Sequence, residues 1–279
     1  ARHAVAAARG GAFDRAVDAG RVVWREQVFA AAWRCCIAWP DVLDQPRDVA
    51  TLAAIRNTGD DGERSQLLVE LVPGLPAVAS VDDLLDWVDD SAGVAAAIAR
   101  LAQGAGQPLA AVQYLANSAL DGEASRVLGS AAFDPLAPVA TPVDVGPLAM
   151  ARDPLVAGVR EQLDGTVLAR ILAQVLDMRA LATGLEGAGA GALDPGTGWA
   201  AGEGEGIGRA VTARGPVFHR VALQADGHTV AHWRVLAPTD WHFGRNGPVA
   251  AALPALADPG AVRALVAGFD PCVAWELVP

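Results

Sequence analysis

The spacing of apolar residues changes from helical to alternating two thirds of the way along this chain, and the change coincides with a stretch, Gly187 to Gly208, in which nine of twenty-two residues are glycine. Before it, apolar positions recur at helical spacing. The clearest case runs from Thr166 to Leu185, where Val167, Ile171, Leu172, Val175, Leu176 and Leu181 form one stripe and Thr166 stands where a cap is needed. After it, Ala210–Leu223 and Thr229–Leu236 alternate around Asp226-Gly227, the pattern of two strands joined by a tight turn. A chain whose period-2 segments are confined to one stretch groups its strands apart from its helices. The expectation is a mainly α protein with a small antiparallel β hairpin or sheet, of the α+β class. Its organisation reads as a helical region over 1–186, a Gly-rich loop or linker over 187–208, and a C-terminal region over 209–279, packed with 1–186 as one compact domain.

Further helices are expected over Arg21–Trp39, stopped by Pro40, and near Val49–Ile55, Ser65–Val72, Val81–Val88, Val94–Ala102, Leu109–Leu120, Arg152–Leu163 and Pro259–Ala267. With 279 residues, 52% of them hydrophobic, the chain can bury a full core. Its formal charge of −11, with every one of its 21 basic residues an arginine, argues against a nucleic-acid or anionic-membrane surface. No apolar run reaches the length of a membrane span; the longest candidate, Val28 to Trp39, is interrupted by Arg34. Three cysteines without paired spacing fit a reducing compartment, and the first residues carry neither a hydrophobic signal core nor twin arginines, so a cytoplasmic protein is expected.

The chemistry-bearing residues gather near the C-terminus. Cys272 follows an Asp-Pro turn, and a thiolate there is a soft metal ligand or, in the alternative, a small buried hydrophobe. Arg214 offers a planar fork of donors, either to an anionic ligand or to a buried acid such as Asp270. His219, His228, His232 and His242 surround the strands, and His242 is the candidate for a metal-facing role. The adjacent pair Cys35 and Cys36 points about 100° apart on a helix and suits a buried position better than chelation. The glycine stretch does not spell G-x-G-x-x-G, and Glu203 and Glu205 would repel a phosphate. The acids between Asp82 and Asp90 fit one solvated helix face. There is no Ser-His-Asp order and no H-E-x-x-H.

Three ordered motifs, Ala213-Arg214-Gly215, Pro238-Thr239-Asp240-Trp241-His242 and Asp270-Pro271-Cys272 with Trp275 and Val278, resemble the large subunit of nickel-iron hydrogenases. There the same order reads E-A-P-R-G, P-T-x-W-N and D-P-C-x-x-C-x-x-H. Val211 stands for the Glu, His242 for the Asn, Trp275 for the second Cys and Val278 for the closing His. The N-terminal R-x-C-G-x-C pair has no counterpart. With Trp33-Arg34 and Ala38-Trp39-Pro40, this set of losses is similar to the HupK/HoxV-type hydrogenase maturation proteins.

The resemblance implies a large-subunit-like fold and a non-catalytic accessory or scaffold role in assembling or delivering an iron centre with diatomic ligands. Cys272 and His242 would be its metal ligands and Arg214 its cofactor-binding donor, with iron transiently bound and nickel not retained. Implied partners are maturation chaperones or a hydrogenase large subunit. The alternatives are a divergent or truncated hydrogenase large subunit that oxidises hydrogen, and a metal-free interaction protein derived from one.

Overall fold

The computed structural model describes residues 1–11, 19–105, 109, 111–150, 152–187 and 196–278. In chain order the elements are α1 (Arg2–Ala8), α2 (Ala19–Trp33) running into a π-turn (Arg34–Ala38), α3 (Trp39–Val42), α4 (Val49–Asn57), α5 (Asp61–Glu70), α6 (Val81–Asp90) and α7 (Val94–Gly104). A two-residue strand β1 (Gln113–Tyr114), α8 (Asn117–Gly129), strand β2 (Val143–Asp144), α9 (Pro147–Met150), α10 (Leu155–Leu163) and α11 (Val167–Gly187) follow. The C-terminal part holds β3 (Thr197–Gly202), β4 (Glu205–Thr212), β5 (Gly215–Leu223), β6 (Val230–Leu236), α12 (Pro238–Phe243), α13 (Pro248–Ala252) and α14 (Pro259–Phe269). This is the expected α+β class.

The expected stripe on α11 is buried on every side, with Val167, Ile171, Leu172, Val175, Leu176 and Leu181 all in the core. The helix packs against α2, α5, α7, α9, α10 and α14, so it is the axle of the helical body. Thr166 caps it as expected, accepting the Ala169 N–H at 3.0 Å. A second, smaller core lies between the sheet, α8 and α12, where Leu120, Leu128, Val145, Phe218, Leu236 and Trp241 meet.

Three sequence expectations are corrected. Pro40 does not stop the first long helix: the helix widens into a π-turn at Arg34–Ala38, with Trp39 N–H reaching back to Arg34 O, and continues to Val42. Proline cannot bond the carbonyl four residues back, and that carbonyl, Cys36 O, instead accepts from Asp48 N–H at 2.9 Å. Leu109–Leu120 is not one helix. Gln113 and Leu115 donate their amides to Pro142 O and Asp144 O, so β1 pairs in parallel with β2 and a helix begins only at Asn117.

The loop expected over 187–208 is the third correction. Residues 188–195 lie outside the described residues, but Thr197–Gly202 and Glu205–Thr212 are strands of an antiparallel sheet in the order β3-β4-β5-β6. The glycines serve a packing purpose there. Gly198, Gly206 and Gly208 share one face, and α1 rests on it: a Cβ at Gly206 would stand 2.2 Å from Ala4 O, and one at Gly208 would stand 2.6 Å from Ala4 N. A helix of small residues therefore meets a strand pair without side chains, backbone against backbone.

Candidate functional site

The β4–β5 turn carries Arg214. Thr212 and Gly215 pair across it, the Thr212 hydroxyl donates to Gly215 O at 2.7 Å, and Gly215 has φ 128°, a value other residues rarely adopt. A side chain at Gly215 would also meet Val145 O at 2.4 Å. The turn is thus pressed against the loop after β2, and the Arg214 side chain is carried toward the end of α14.

That end is built around Asp270, which follows Phe269 in the left-handed conformation (φ 45°, ψ 66°) and turns the chain out of the helix. Its buried carboxylate receives two arginines from distant parts of the sequence. Arg34 Nε donates to Oδ2 at 3.0 Å, while Arg34 Nη2 donates to Ala213 O at 3.3 Å. Arg214 Nε donates to Asp270 O at 2.8 Å and lies 3.2 Å from Oδ2; its Nη2 donates to Oδ1 at 3.4 Å. Arg34 is 1% exposed and Arg214 22%, so the first is a structural clamp and the second reaches open space. Of the two readings the sequence allowed for Arg214, the buried acid partner is present, and the guanidinium also lines a groove.

Beyond Asp270, Pro271 leads to Cys272, whose thiol is exposed and sits 3.2 Å from the Thr239 hydroxyl. Thr239 comes from the first turn of α12, where Asp240 accepts the Ala237 N–H at 2.7 Å and holds the turn. Cys272 and Arg214 both line a groove of about 790 Å³ between the segment 271–277 and the α2/π-turn face of Phe29, Trp33 and Ile37.

His242 does not face that groove. It is 2% exposed, its Nε2 accepts the Val145 N–H at 3.1 Å and lies 3.4 Å from Asp144 Oδ1, and it lines a small cavity on the other side of Arg214. Cys35 and Cys36 are buried in the π-turn, with Cys35 Sγ 3.6 Å from Met178 Sδ. Burial pushes both thiols upward, Cys36 to about 12, so neither supplies a thiolate near neutral pH. Among the described residues, no three His, Cys, Asp or Glu side chains are gathered as a metal would need.

Arg34 and Thr239 are the members that the sequence did not single out for the site. A charge inside the apolar run Val28 to Trp39 was the available signal for Arg34. Thr239 appears in the sequence only as part of a motif, and its hydroxyl's closeness to Cys272 depends on a contact 33 residues apart.

The chain is 49% identical over 79 residues to the hydrogenase expression/formation protein HupV of Azotobacter chroococcum mcd 1, a match covering 26% of this chain and 22% of that protein. Its curated relatives are hydrogenase expression/formation proteins. HupK of Bradyrhizobium diazoefficiens is 36% identical over 129 residues, covering 42% of this chain and 35% of its own length, and HupK of Azotobacter vinelandii is 43% identical over 79 residues. The matches thus span between about a fifth and a third of these relatives. No protein-family model matches the chain. Among solved structures, a [NiFeSe]-hydrogenase of Dm. baculatum aligns over 47% of this chain and 33% of its own at 20% identity, with a TM-score of 0.33, an overlap too slight to inform the site. No described helix is long and apolar enough to cross a membrane.

Proposed function

We propose that the chain is a non-catalytic accessory protein of [NiFe] hydrogenase maturation, which docks or carries an iron fragment with diatomic ligands while that centre is assembled or delivered. The observation that carries this reading is the isolation of Cys272. One exposed thiol, held beside the Thr239 hydroxyl and next to Arg214, opens on a groove, while the other two cysteines are buried and protonated elsewhere. A nickel ion in four thiolates does not fit this donor set. An iron fragment that brings most of its own ligands needs little more than one soft anchor.

In that role the iron fragment is cargo. Cys272 binds it as the thiolate, Arg214 donates to its anionic ligands from the groove wall, and Asp270 holds Arg214 by Nε and Nη2 so that the guanidinium is oriented before cargo arrives. His242, turned inward, supports the loop after β2 through the Val145 amide and is a positioning residue here, not a ligand. The implied partners are a maturation chaperone or the hydrogenase large subunit, meeting the chain at the same groove.

Metal analysis and infrared spectroscopy of anaerobically purified protein test this reading. Iron with diatomic stretching bands and no nickel is the expected result. Nickel with iron, or hydrogen-dependent dye reduction above a metal-free control, would make the chain a divergent large subunit. Absence of both metals after coexpression with the maturation machinery would make it an interaction protein.

A further inference from the structure

Arg170 and Gln174, one turn apart on α11 and 2% and 1% exposed, present polar groups to a cavity of about 10 Å³ behind the Arg214–Asp270 contact. Gln174 donates its amide N–H groups to Ala267 O and Gly268 O at 3.2 and 2.7 Å, carbonyls of the last turn of α14. That contact fixes which way the amide points. Its Oε1 is then an acceptor with no protein partner among the described residues. Arg170 Nη1 donates to Thr166 O at 3.0 Å and Nε lies 3.3 Å from Asp144 Oδ2, while Nη2 has no protein acceptor. His242 Nε2 accepts the Val145 N–H, which places the proton of the neutral ring on Nδ1, and that N–H has no protein acceptor either.

Two donors and one acceptor thus line one small space. The buried charge beside it is even, since Arg34 stands against Asp270 and Arg170 against Asp144, while Arg214, 22% exposed, reaches the open groove. The guest has to be neutral. An anion would face Gln174 Oε1, and a cation would face the Arg170 guanidinium and two N–H groups. The volume suits one water molecule, and three polar partners are the number that a buried water ordinarily has.

We propose that this cavity is the binding site of one ordered water molecule, which accepts from Arg170 Nη2 and His242 Nδ1–H and donates to Gln174 Oε1. The water joins α12, through His242, to α11, and through the Gln174 amide to the last turn of α14, from which Asp270 follows. It forms the rear support of the carboxylate that orients Arg214. The network also requires that His242 be neutral with its proton on Nδ1.

The test is a high-resolution crystal structure of the full chain, with crystals grown in bromide, beside nitrogen-15 NMR of its histidine rings at neutral pH. One solvent peak without anomalous signal should lie about 2.7–3.2 Å from each of Arg170 Nη2, His242 Nδ1 and Gln174 Oε1. The His242 ring should show the Nδ1-protonated neutral form, and its N–H proton should cross-relax with water. An anomalous bromide peak in the cavity, no ordered solvent there, or a His242 ring protonated on Nε2 would overturn the proposal.

Discussion

The π-turn at Arg34–Ala38 and the segment 271–278 after α14 contain the same chemistry in opposite settings. Each has cysteine next to an arginine–aspartate contact, and the two meet at Asp270. In the π-turn the thiols are packed against the core and the arginine is sealed. In the terminal segment the thiol is exposed and the arginine reaches a groove. Burial therefore decides which cysteine can act, and the clamp of Arg34 on Asp270 lets a solvent-facing site stand on a rigid base.

The largest effect should come from breaking that clamp. Arg34→Met leaves the buried Asp270 carboxylate short of a partner, and should cost about 3–5 kcal/mol in urea unfolding. Arg214→Met removes a partly exposed partner and should cost clearly less; equal losses would mean that the two arginines are not divided into clamp and site as described.

Alkaline pH should show the buried thiols next. Their folded-state pKa values lie above the unfolded value of 9.0, so the stability they contribute is complete below pH 9 and is lost as pH rises toward about 12. The double variant Cys35→Ala, Cys36→Ala should flatten the decline in Tm over that range. A smaller-scale test of the same contrast is alkylation at pH 8: the native protein should take up one label, at Cys272, and the unfolded protein three. Labelling of Cys35 or Cys36 in the native state would break the comparison.

Much of the helical body was legible because its signal is local. The stripe on α11 and the Asp226-Gly227 turn follow from spacing alone, and Asp226 accepts the His228 and Thr229 amides just as a turn residue should. The glycine-rich stretch differs from its expected loop for a physical reason. Glycines that let α1 lie on β3 and β4 look the same in sequence as glycines that loosen a linker, and only the arrival of Ala4 against Gly206 tells them apart. Pro40 reads as a stop because no residue pattern marks the π-turn at Arg34–Ala38 or the Asp48 amide that takes up Cys36 O. At the site, Arg214 and Cys272 were visible from motif resemblance, but the Arg34–Asp270 bond joins residues 236 apart and no local pattern carries it.

The weakest expected perturbations lie within the site. Thr239→Val should leave the fold intact and make Cys272 react with alkylating agents at a modestly different rate, by about twofold, because one hydrogen bond to the thiol is lost. Arg214→Lys should lower iron retention partially, since an ammonium keeps the charge and loses the fork of donors.

The most direct measurement is the iron content and infrared spectrum of Cys272→Ser beside the parent, both purified anaerobically after coexpression with the maturation machinery, with circular dichroism to confirm the fold. The parent should carry iron with diatomic bands, and the serine variant, equally folded, should carry none, because a hard and mostly protonated hydroxyl replaces the one exposed thiol among the described residues. A serine variant that keeps its full iron complement would contradict the account.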